Sequence, residues 1–404
     1  MKNIIVIISL IFAYNSELKA QSGCTDALAS NYSSSATVND GSCIYTAASV
    51  TPTASYNLGI SLVETSGLIE WNGSLYTHND NTDTNIYQIS KTGALLNTFP
   101  LPSTINIDWE EISQDENYIY IGDFGNNAAG NRKDLKIYKI KKNTFATNPE
   151  IETINFSYSD QTNFAAQSAN NTDFDCESMI VASDGIYLFT KQWLSKKTTI
   201  YKLPNTAGTQ IASPITTVDV GGLITGATFK ENLHLLTLCG YTETLVPFIY
   251  LIYDFKLNDF AISNKRKIEI PLQFYQIEGI ATTDGLEYFL SNEKLEQLPI
   301  ANIQQKLHKI TLNPYLENYL NALSINDLNP QADKGVLYPN PTDGEVKIGL
   351  KDAIGQNYKI YDFSGKNVKT GVLNSNSLDL AEFTTGTYLL IFPESNQQFK
   401  IIKR

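Results

Sequence analysis

Short segments in which apolar and polar residues alternate recur through the middle of the chain, from about residue 51 to residue 315. Each begins with a small or acidic residue, has an apolar residue two positions later, makes a turn and continues as an alternating strand. Alternation with a period of two is typical of strands that bury one face. Five segments share the pattern: Ser66–Asp80, Glu110–Asn127, Glu177–Trp193, Thr225–Tyr241 and Glu278–Glu293.

This repeat predicts an all-β fold, a β-propeller over residues 51–315. The segments start about 44 to 67 residues apart, and most are followed by a further strand. Sheets of three or four strands at this spacing are typical of propeller blades, which pack radially and bury each other's faces. The repeats predict five blades, and a sixth, degenerate blade is an alternative. The strand near Ala54–Ile60 is expected to close the ring, and Thr147–Thr172 is expected to be an inserted loop.

The N-terminal segment is typical of an exported protein. Residues 1–20 have an early Lys, an apolar run and a final Ala, which is the pattern of a secretory signal peptide. No other stretch approaches the length of a membrane span, so no transmembrane segment is predicted.

The formal charge of −12, from 30 basic and 42 acidic residues, argues against nucleic acid and anionic membranes as partners. It suits metal cations or basic ligands, or solubility alone.

Four cysteines divide into two pairs. Cys24 and Cys43 bound a compact segment, which in an exported protein predicts a disulfide-closed module or spacer over residues 21–50. Lipid attachment at Cys24 is an alternative. Cys176 and Cys239 either pair or stay as buried thiols. Four side chains of the module are either calcium ligands or caps of turns: Asp26, Asn31, Asn39 and Asp40.

The C-terminal region has three blocks in a fixed order: LYPNPTDGEVKI at Leu337–Ile348, KIYDFSGKNV at Lys359–Val368, and GTYLLIF to KIIKR at Gly386–Arg404. These blocks resemble the type A C-terminal sorting domain of cargo of the type IX secretion system of Bacteroidota. The resemblance implies an immunoglobulin-like β-sandwich over residues 336–404, behind a linker over residues 316–335. It also implies that the secretion machinery recognises this domain. The exported protein is then either released or attached to the outer cell surface.

Aligning the repeats brings acidic residues into register. Glu110, Glu177 and Glu278 occupy the same place in three repeats, and Asp108 and Asp175 lie two residues before the first two of them. The first strand of each blade lines the channel of a propeller, so these carboxylates are expected to meet near its axis. Their repulsion would be offset by calcium or another divalent cation with oxygen ligands. The alternative is a structural role, in which the carboxylates cap backbone N–H groups between blades.

A second polar ring is predicted where the second strands end. Its candidate ligand-binding residues are Asp80, Asp123, Asn126 and Asn292. Functional residues of propellers often lie at such strand ends. The repeats also resemble a group of secreted, mostly uncharacterised bacterial propeller proteins, and related six-bladed calcium propellers hydrolyse phosphate esters or lactones.

Two functions compete for the propeller. The first is a binding or adhesive module for a glycan, a peptide or a small molecule. The second is a metal-assisted hydrolase of an ester, lactone or phosphate ester, in which His78, Glu110 or Lys191 moves protons. No HExxH or GxSxG motif is present in the sequence, which favours the first.

Overall fold

The computed structural model describes residues 21–256, 258–327, 336–350, 353–363, 365–393 and 397–404. The predicted signal peptide lies outside these ranges, as do residues 328–335 of the predicted linker. The chain divides into two compact units, Met1–Tyr319 and Leu320–Arg404. Within the described part of the chain, no helix is long and apolar enough to cross a membrane.

The N-terminal module is closed by a disulfide. Strands β1 (Ser22–Gly23) and β2 (Val38–Asn39) pair in parallel. Cys24 is bonded to Cys43, which confirms the predicted disulfide and uses the sulfur that a lipid anchor would need. Cys176 and Cys239 are free and buried.

The four candidate calcium ligands of the module are engaged with its own turns and with the propeller. Asp26 accepts the N–H of Leu28 at 2.8 Å, and Asp40 accepts the N–H of Ser42 at 3.0 Å. Likewise, the side chain of Asn31 bonds to backbone groups of Ser42 and Ile44, and that of Asn39 bonds to Gly41, Asp254 and Asn264. In this structure these side chains therefore hold turns and dock the module.

The propeller consists of four-stranded antiparallel sheets that follow one another along the chain. Strand β3 (Ala54–Asn57) precedes the first sheet, which is formed by β4 (Thr65–Trp71), β5 (Ser74–Asn79), β6 (Asn85–Ile89) and β7 (Leu95–Pro100). The second sheet is formed by β8 (Trp109–Gln114), β9 (Tyr118–Asp123), β10 (Lys136–Lys141) and β11 (Ile151–Tyr158). The third is formed by β12 (Asp175–Ala182), β13 (Gly185–Lys191), β14 (Thr198–Leu203) and β15 (Gly208–Val218).

Two further sheets complete the ring. The fourth is formed by β16 (Leu223–Lys230), β17 (Leu235–Tyr241), β18 (Pro247–Tyr253) and β19 (Asn264–Glu269). The fifth contains β20 (Ile277–Thr282) and β21 (Glu287–Asn292), and after a small hairpin of β22 (Leu295–Gln297) and β23 (Ala301–Ile303) it continues with β24 (Lys306–Thr311). Its outer strand is β3, from the start of the domain, as the sequence predicted.

The sheets form a closed ring of five blades. Each first strand contacts the first strand of the next sheet, and β20 returns to contact β4. The apolar core lies between neighbouring sheets: Phe189 and Ile200 of the third sheet pack with Leu238 and Phe248 of the fourth. Each blade thus covers a face that its neighbour would otherwise expose.

The segment Thr147–Thr172 is only partly a loop. Its residues 151–158 form β11, which is the outer strand of the second sheet and pairs in parallel with β15 of the third. The alternation IETINFSY predicts such a strand, but the polar residues around it conceal the pattern. The expectation of a loop throughout this segment was wrong, and the pairing of β11 with β15 joins two blades at their outer edges.

The start of the predicted linker is helical, since α1 spans Asn313–Asp327. The second unit contains β25 (Val336–Tyr338), β26 (Glu345–Gly349), β27 (Asn357–Asp362), β28 (Asn367–Val372), β29 (Ser377–Asp379), β30 (Gly386–Phe392) and β31 (Gln397–Lys403). These strands form a three-stranded sheet, β25-β26-β29, and a four-stranded sheet, β28-β27-β30-β31. Their inner residues share one core, in which Val346 and Leu378 pack with Ile360, Leu390 and Ile401. This is the predicted β-sandwich.

Candidate functional site

The innermost strands of the propeller have β-bulges at equivalent positions. The residue that the pairing skips is Glu110 in the second sheet, Glu177 in the third, Thr225 in the fourth and Glu278 in the fifth. A bulge leaves its extra residue outside the regular ladder and re-aims the side chain. The bulges therefore explain why residues more than 40 positions apart present their side chains at one place.

The three glutamates line one cavity of about 190 Å³. Their exposed fractions are small, 3% for Glu110, 2% for Glu177 and 6% for Glu278, so they form its deep wall. The other lining residues are Asp80, Asn127, Asn170, Lys191, Trp193, Tyr241, Gln276 and Glu293. Because Asn170 is exposed, the cavity opens to solvent.

Lys191 is the cation of this lining. Its Nζ lies 3.2 Å from Glu177 Oε1, and 4.8 Å and 5.3 Å from the ring centroids of Trp193 and Tyr241. Burial would lower the pKa of Lys191, but the negative charges of Glu177 and Glu278 raise it well above the usual range. One side of the cavity is therefore an ammonium site that is already filled by the chain itself.

The other carboxyl groups of the lining form no ion pair with Lys191. The pKa values of three of them, Glu110, Glu278 and Asp80, are shifted toward the neutral form. Burial, followed by the charges of Glu177 and Asp108, raises the pKa of Glu110 well above its usual range. Burial also raises the pKa of Glu278 to about 7 and that of Asp80 to about 6, although Lys191 opposes both shifts. One carboxyl oxygen, Glu278 Oε2, is buried without a hydrogen-bond partner. The cavity wall thus favours a positive charge.

Asp108 and Asp175 lie next to the cavity rather than in its lining. Asp175 accepts hydrogen bonds from Trp193 Nε1 at 2.7 Å and from the N–H of Asn126 at 2.5 Å, so it positions cavity loops. Asp108 lies beside Glu110: a Cβ atom on Gly125 would stand 2.2 Å from Glu110 Oε1 and 2.4 Å from Asp108 Oδ2. Only glycine leaves room for both carboxyl groups at this point.

Of the four predicted ligand-binding residues, Asp80 lines the cavity and the other three are bonded within the fold. Asp123 is paired with Arg132 at 2.8 Å and with Lys136 at 3.4 Å. Asn126 accepts the N–H of Arg132 at 2.9 Å and donates to a backbone carbonyl. Asn292 accepts from His308 Nε2 at 2.9 Å and donates to two carbonyl oxygens. These side chains hold loops and strands in place.

His78 is fully buried and does not line the cavity. Its Nδ1 donates to the carbonyl oxygen of Asn79 at 3.2 Å, its ring packs edge-on against Trp109, and its Nε2 has no hydrogen-bond partner. Burial lowers the pKa of His78 to about 4, which keeps it neutral at pH 7.

Glu111 is an important residue that the repeat alignment did not single out. It is completely buried, and its carboxylate accepts the N–H groups of Ile112 at 3.0 Å and of Ala227 at 2.8 Å. Burial raises its pKa well above the usual range, while hydrogen bonds from backbone N–H groups, including those of Met179 and Leu68, oppose the shift. These donors belong to four different sheets, so Glu111 ties their inner strands together. The one sequence feature that indicates this role of Glu111 is its position next to Glu110.

The donor atoms of the cavity fit a hard cation in kind, because they are oxygens of carboxyl and amide groups. Among the residues that the structure describes, however, no group of three or more His, Cys, Asp or Glu side chains has the arrangement of a metal-ligand set. The five acidic residues are spread over the wall of a cavity that is much larger than the roughly 10–15 Å³ needed by one water.

Known structures resemble the chain only distantly. PorZ, a surface component of the type IX secretion system of Porphyromonas gingivalis, is 14% identical with a TM-score of 0.30, over 84% of this chain and 45% of that one. The chain thus spans less than half of PorZ. A PQQ-bound aldose sugar dehydrogenase from Streptomyces coelicolor is 9% identical with a TM-score of 0.39, over 65% and 98% of the two chains. A putative 6-phosphogluconolactonase from Bacteroides uniformis is 12% identical with a TM-score of 0.30, over 78% and 87%. Likenesses this weak carry no functional argument.

The curated proteins contain no match to the chain. A family profile does match its end: the secretion system C-terminal sorting domain covers residues 336–404, which are the β-sandwich described above. The chain therefore carries a C-terminal sorting domain of the type IX secretion system, and the protein is exported and reaches the outside of the cell, secreted or attached to its outer surface.

Proposed function

We propose that the propeller is an extracellular binding module whose acidic cavity takes a cation. The observation that carries this proposal is the charge of the lining, in which five carboxyl groups face one ammonium group, that of Lys191. Like charges about 4 Å apart repel by about 4 kcal/mol at an effective dielectric constant near 20. An entering cation would offset this repulsion and bring the carboxyl groups to their charged form.

Calcium or another divalent cation is the simplest occupant of this kind. It would be held by carboxyl oxygens of the deep wall, from Glu110 and Glu278, with amide oxygens and water completing its shell. The unpartnered Glu278 Oε2 supports this placement, because a buried carboxyl oxygen without a partner costs free energy that a cation would recover.

A hydrolase receives less support from the same geometry. Of the three residues predicted to move protons, His78 lies outside the cavity lining and Lys191 is held by Glu177. Binding is therefore the function that the arrangement supports best.

Calcium-dependent stabilisation of the mature chain tests the proposal. A ligand at 100 times its dissociation constant stabilises the folded state by about 2.7 kcal/mol, so the midpoint of thermal unfolding should rise when calcium replaces a chelator. We expect Glu110→Gln to reduce this rise and the exposed control Glu116→Gln to leave it unchanged. An equal rise in both variants would place the cation elsewhere, and no rise in the native protein would exclude calcium.

A further inference from the structure

The cavity already shows how it accommodates an ammonium group. The Nζ atom of Lys191 is enclosed by the carboxylate of Glu177 and by the faces of Trp193 and Tyr241. Aromatic faces and a carboxylate are the surroundings that bind organic cations well, since the ring quadrupole adds to the ion pair. This side of the cavity is built for an alkylammonium group.

Other carboxyl groups of the lining form no ion pair with Lys191, whose ion-pair partner is Glu177. Glu278 lies in β20 and Glu293 directly follows β21, both of the fifth sheet, and Asp80 directly follows β5 of the first sheet. Glu278 is more than nine-tenths buried, and its Oε2 has no hydrogen-bond partner. A second ammonium group, supplied by a ligand, would find there an acceptor that the chain leaves unused.

The loops that adjoin the cavity also expose large apolar side chains. Leu194 follows the lining residue Trp193 and is 61% exposed, and Ile107 precedes Asp108 and is 49% exposed. The β22–β23 hairpin begins two residues after the lining residue Glu293, and its turn carries Leu298 at 69% and Ile300 at 68% exposure. Apolar residues beside an acidic opening are typical of protein-binding surfaces, in which a charged anchor is flanked by apolar contacts.

We infer that this face binds an extracellular protein or peptide by accepting a lysine side chain of that partner in the acidic cavity. This inference rests on the proposed cation-binding function of the cavity. The carboxyl groups of Glu278, Glu293 and Asp80 bind the ammonium group of the partner. Apolar residues next to that lysine pack against Leu194 and the tip of the β22–β23 hairpin. Charge complementarity selects a basic anchor, and the exposed apolar residues select a polypeptide over a free amine.

Binding of short synthetic peptides to the mature full-length chain tests the inference. The probe is acetyl-Ser-Leu-Lys-Leu-Ser-amide, and its matched control has norleucine, which is similar in length but uncharged, in place of lysine. Pentylamine represents a free amine, and calcium alone is a further arm. Titration calorimetry measures the affinities, and the fluorescence of Trp193, compared with that of Trp193→Phe, reports whether the ligand enters the cavity.

We expect the lysine peptide to bind at least 10-fold more tightly than the norleucine peptide and than pentylamine. Glu278→Gln should weaken its binding at least 10-fold. The double variant Leu298→Ser/Ile300→Ser, at exposed positions that leave the fold intact, should weaken it several-fold while calcium binding stays unchanged. The unfolding midpoint of each variant verifies that it is folded.

Four results would overturn the inference. Equal binding of the lysine and norleucine peptides would show that no ammonium group is recognised, and equal binding of pentylamine and the lysine peptide would show that the ligand is a free amine. Calcium binding without peptide binding would leave the proposed function standing and remove the lysine-bearing partner. Binding of neither calcium nor peptide would remove both.

Discussion

Lys191 and Glu177 form an ion pair that is almost completely enclosed by the propeller. The two charged atoms are 3.2 Å apart, and the side chains are 5% and 3% exposed. The pair joins neighbouring strands, β13 and β12, at the base of the acidic cavity. It fixes the position of the cation of the lining, while the other carboxyl groups of the lining form no ion pair with it.

Breaking this pair should destabilise the fold. We expect Glu177→Gln to lower the free energy of unfolding by about 3 kcal/mol, because it leaves the ammonium of Lys191 buried without its partner. Urea unfolding at pH 7 measures the change. The double variant Glu177→Gln/Lys191→Met should lose less than Glu177→Gln alone. A loss equal to the sum of the two single variants would show that the residues are not coupled.

Replacing Glu111 by Gln should weaken the centre of the propeller. The carboxylate of Glu111 accepts N–H groups from several inner strands, and a Gln amide nitrogen would turn one acceptor into a second donor. We expect a loss of about 1–3 kcal/mol in the free energy of unfolding. Glu116→Gln, on an exposed turn of the same sheet, is the matched control. Similar denaturation curves for both variants would contradict the role assigned to Glu111.

The strand that closes the ring should loosen in mild acid. His308 bonds to Ser55 of β3 at 2.7 Å and to Asn292 of β21 at 2.9 Å, and these contacts suit neutral imidazole with its proton on Nε2. Burial lowers the pKa of His308 to about 4, and the charge of Lys306 acts in the same direction. The unfolded chain therefore takes up the proton first as pH falls.

The sign and the window of this effect follow from the two pKa values. The stabilisation is complete above about pH 6.5, the value for an unfolded histidine, and is lost as pH falls through about 4, a total of about 3 kcal/mol. Urea unfolding of the native protein and of His308→Gln at pH 7 and pH 4.5 checks it, since the difference between them should shrink in acid. A difference that is independent of pH would show that His308 does not titrate with folding.

A methyl group at Gly125 should deform the cavity. The added Cβ would lie 2.2 Å from Glu110 Oε1, so the carboxyl groups of Glu110 and Asp108 would have to move. We expect Gly125→Ala to cost about 1–3 kcal/mol and to weaken cation binding about 10-fold. Gly59→Ala, where the nearest atom would be 3.8 Å away, is the control for a methyl group that makes only an ordinary van der Waals contact. Unchanged calcium affinity in Gly125→Ala would separate the cation from Glu110.

The alignment of the repeats predicted the blades, the closing strand and the shared position of three glutamates, because these features depend on the local alternation of apolar and polar residues. It missed β11, whose alternation is surrounded by polar residues, and the helix α1 at the start of the linker. It grouped Asp80 with Asp123, Asn126 and Asn292, although only Asp80 lines the cavity. Tyr241 ends a second strand just as Lys191 does, and this equivalent position in the repeat is the sequence signal for its place in the cavity.

By itself, the sequence determined the repeated strands, the disulfide of the N-terminal module and the C-terminal sorting domain, because each depends on short-range pattern or on a motif of fixed order. Only the tertiary structure decided which polar side chains face the cavity and which are bonded to other groups of the chain. That choice depends on bulges, on the ring closure and on partners far away in the chain, such as Arg132 for Asp123 and the inner strands for Glu111. A carboxylate has the same letter in the sequence whether a neighbour neutralises it or a cavity leaves it free.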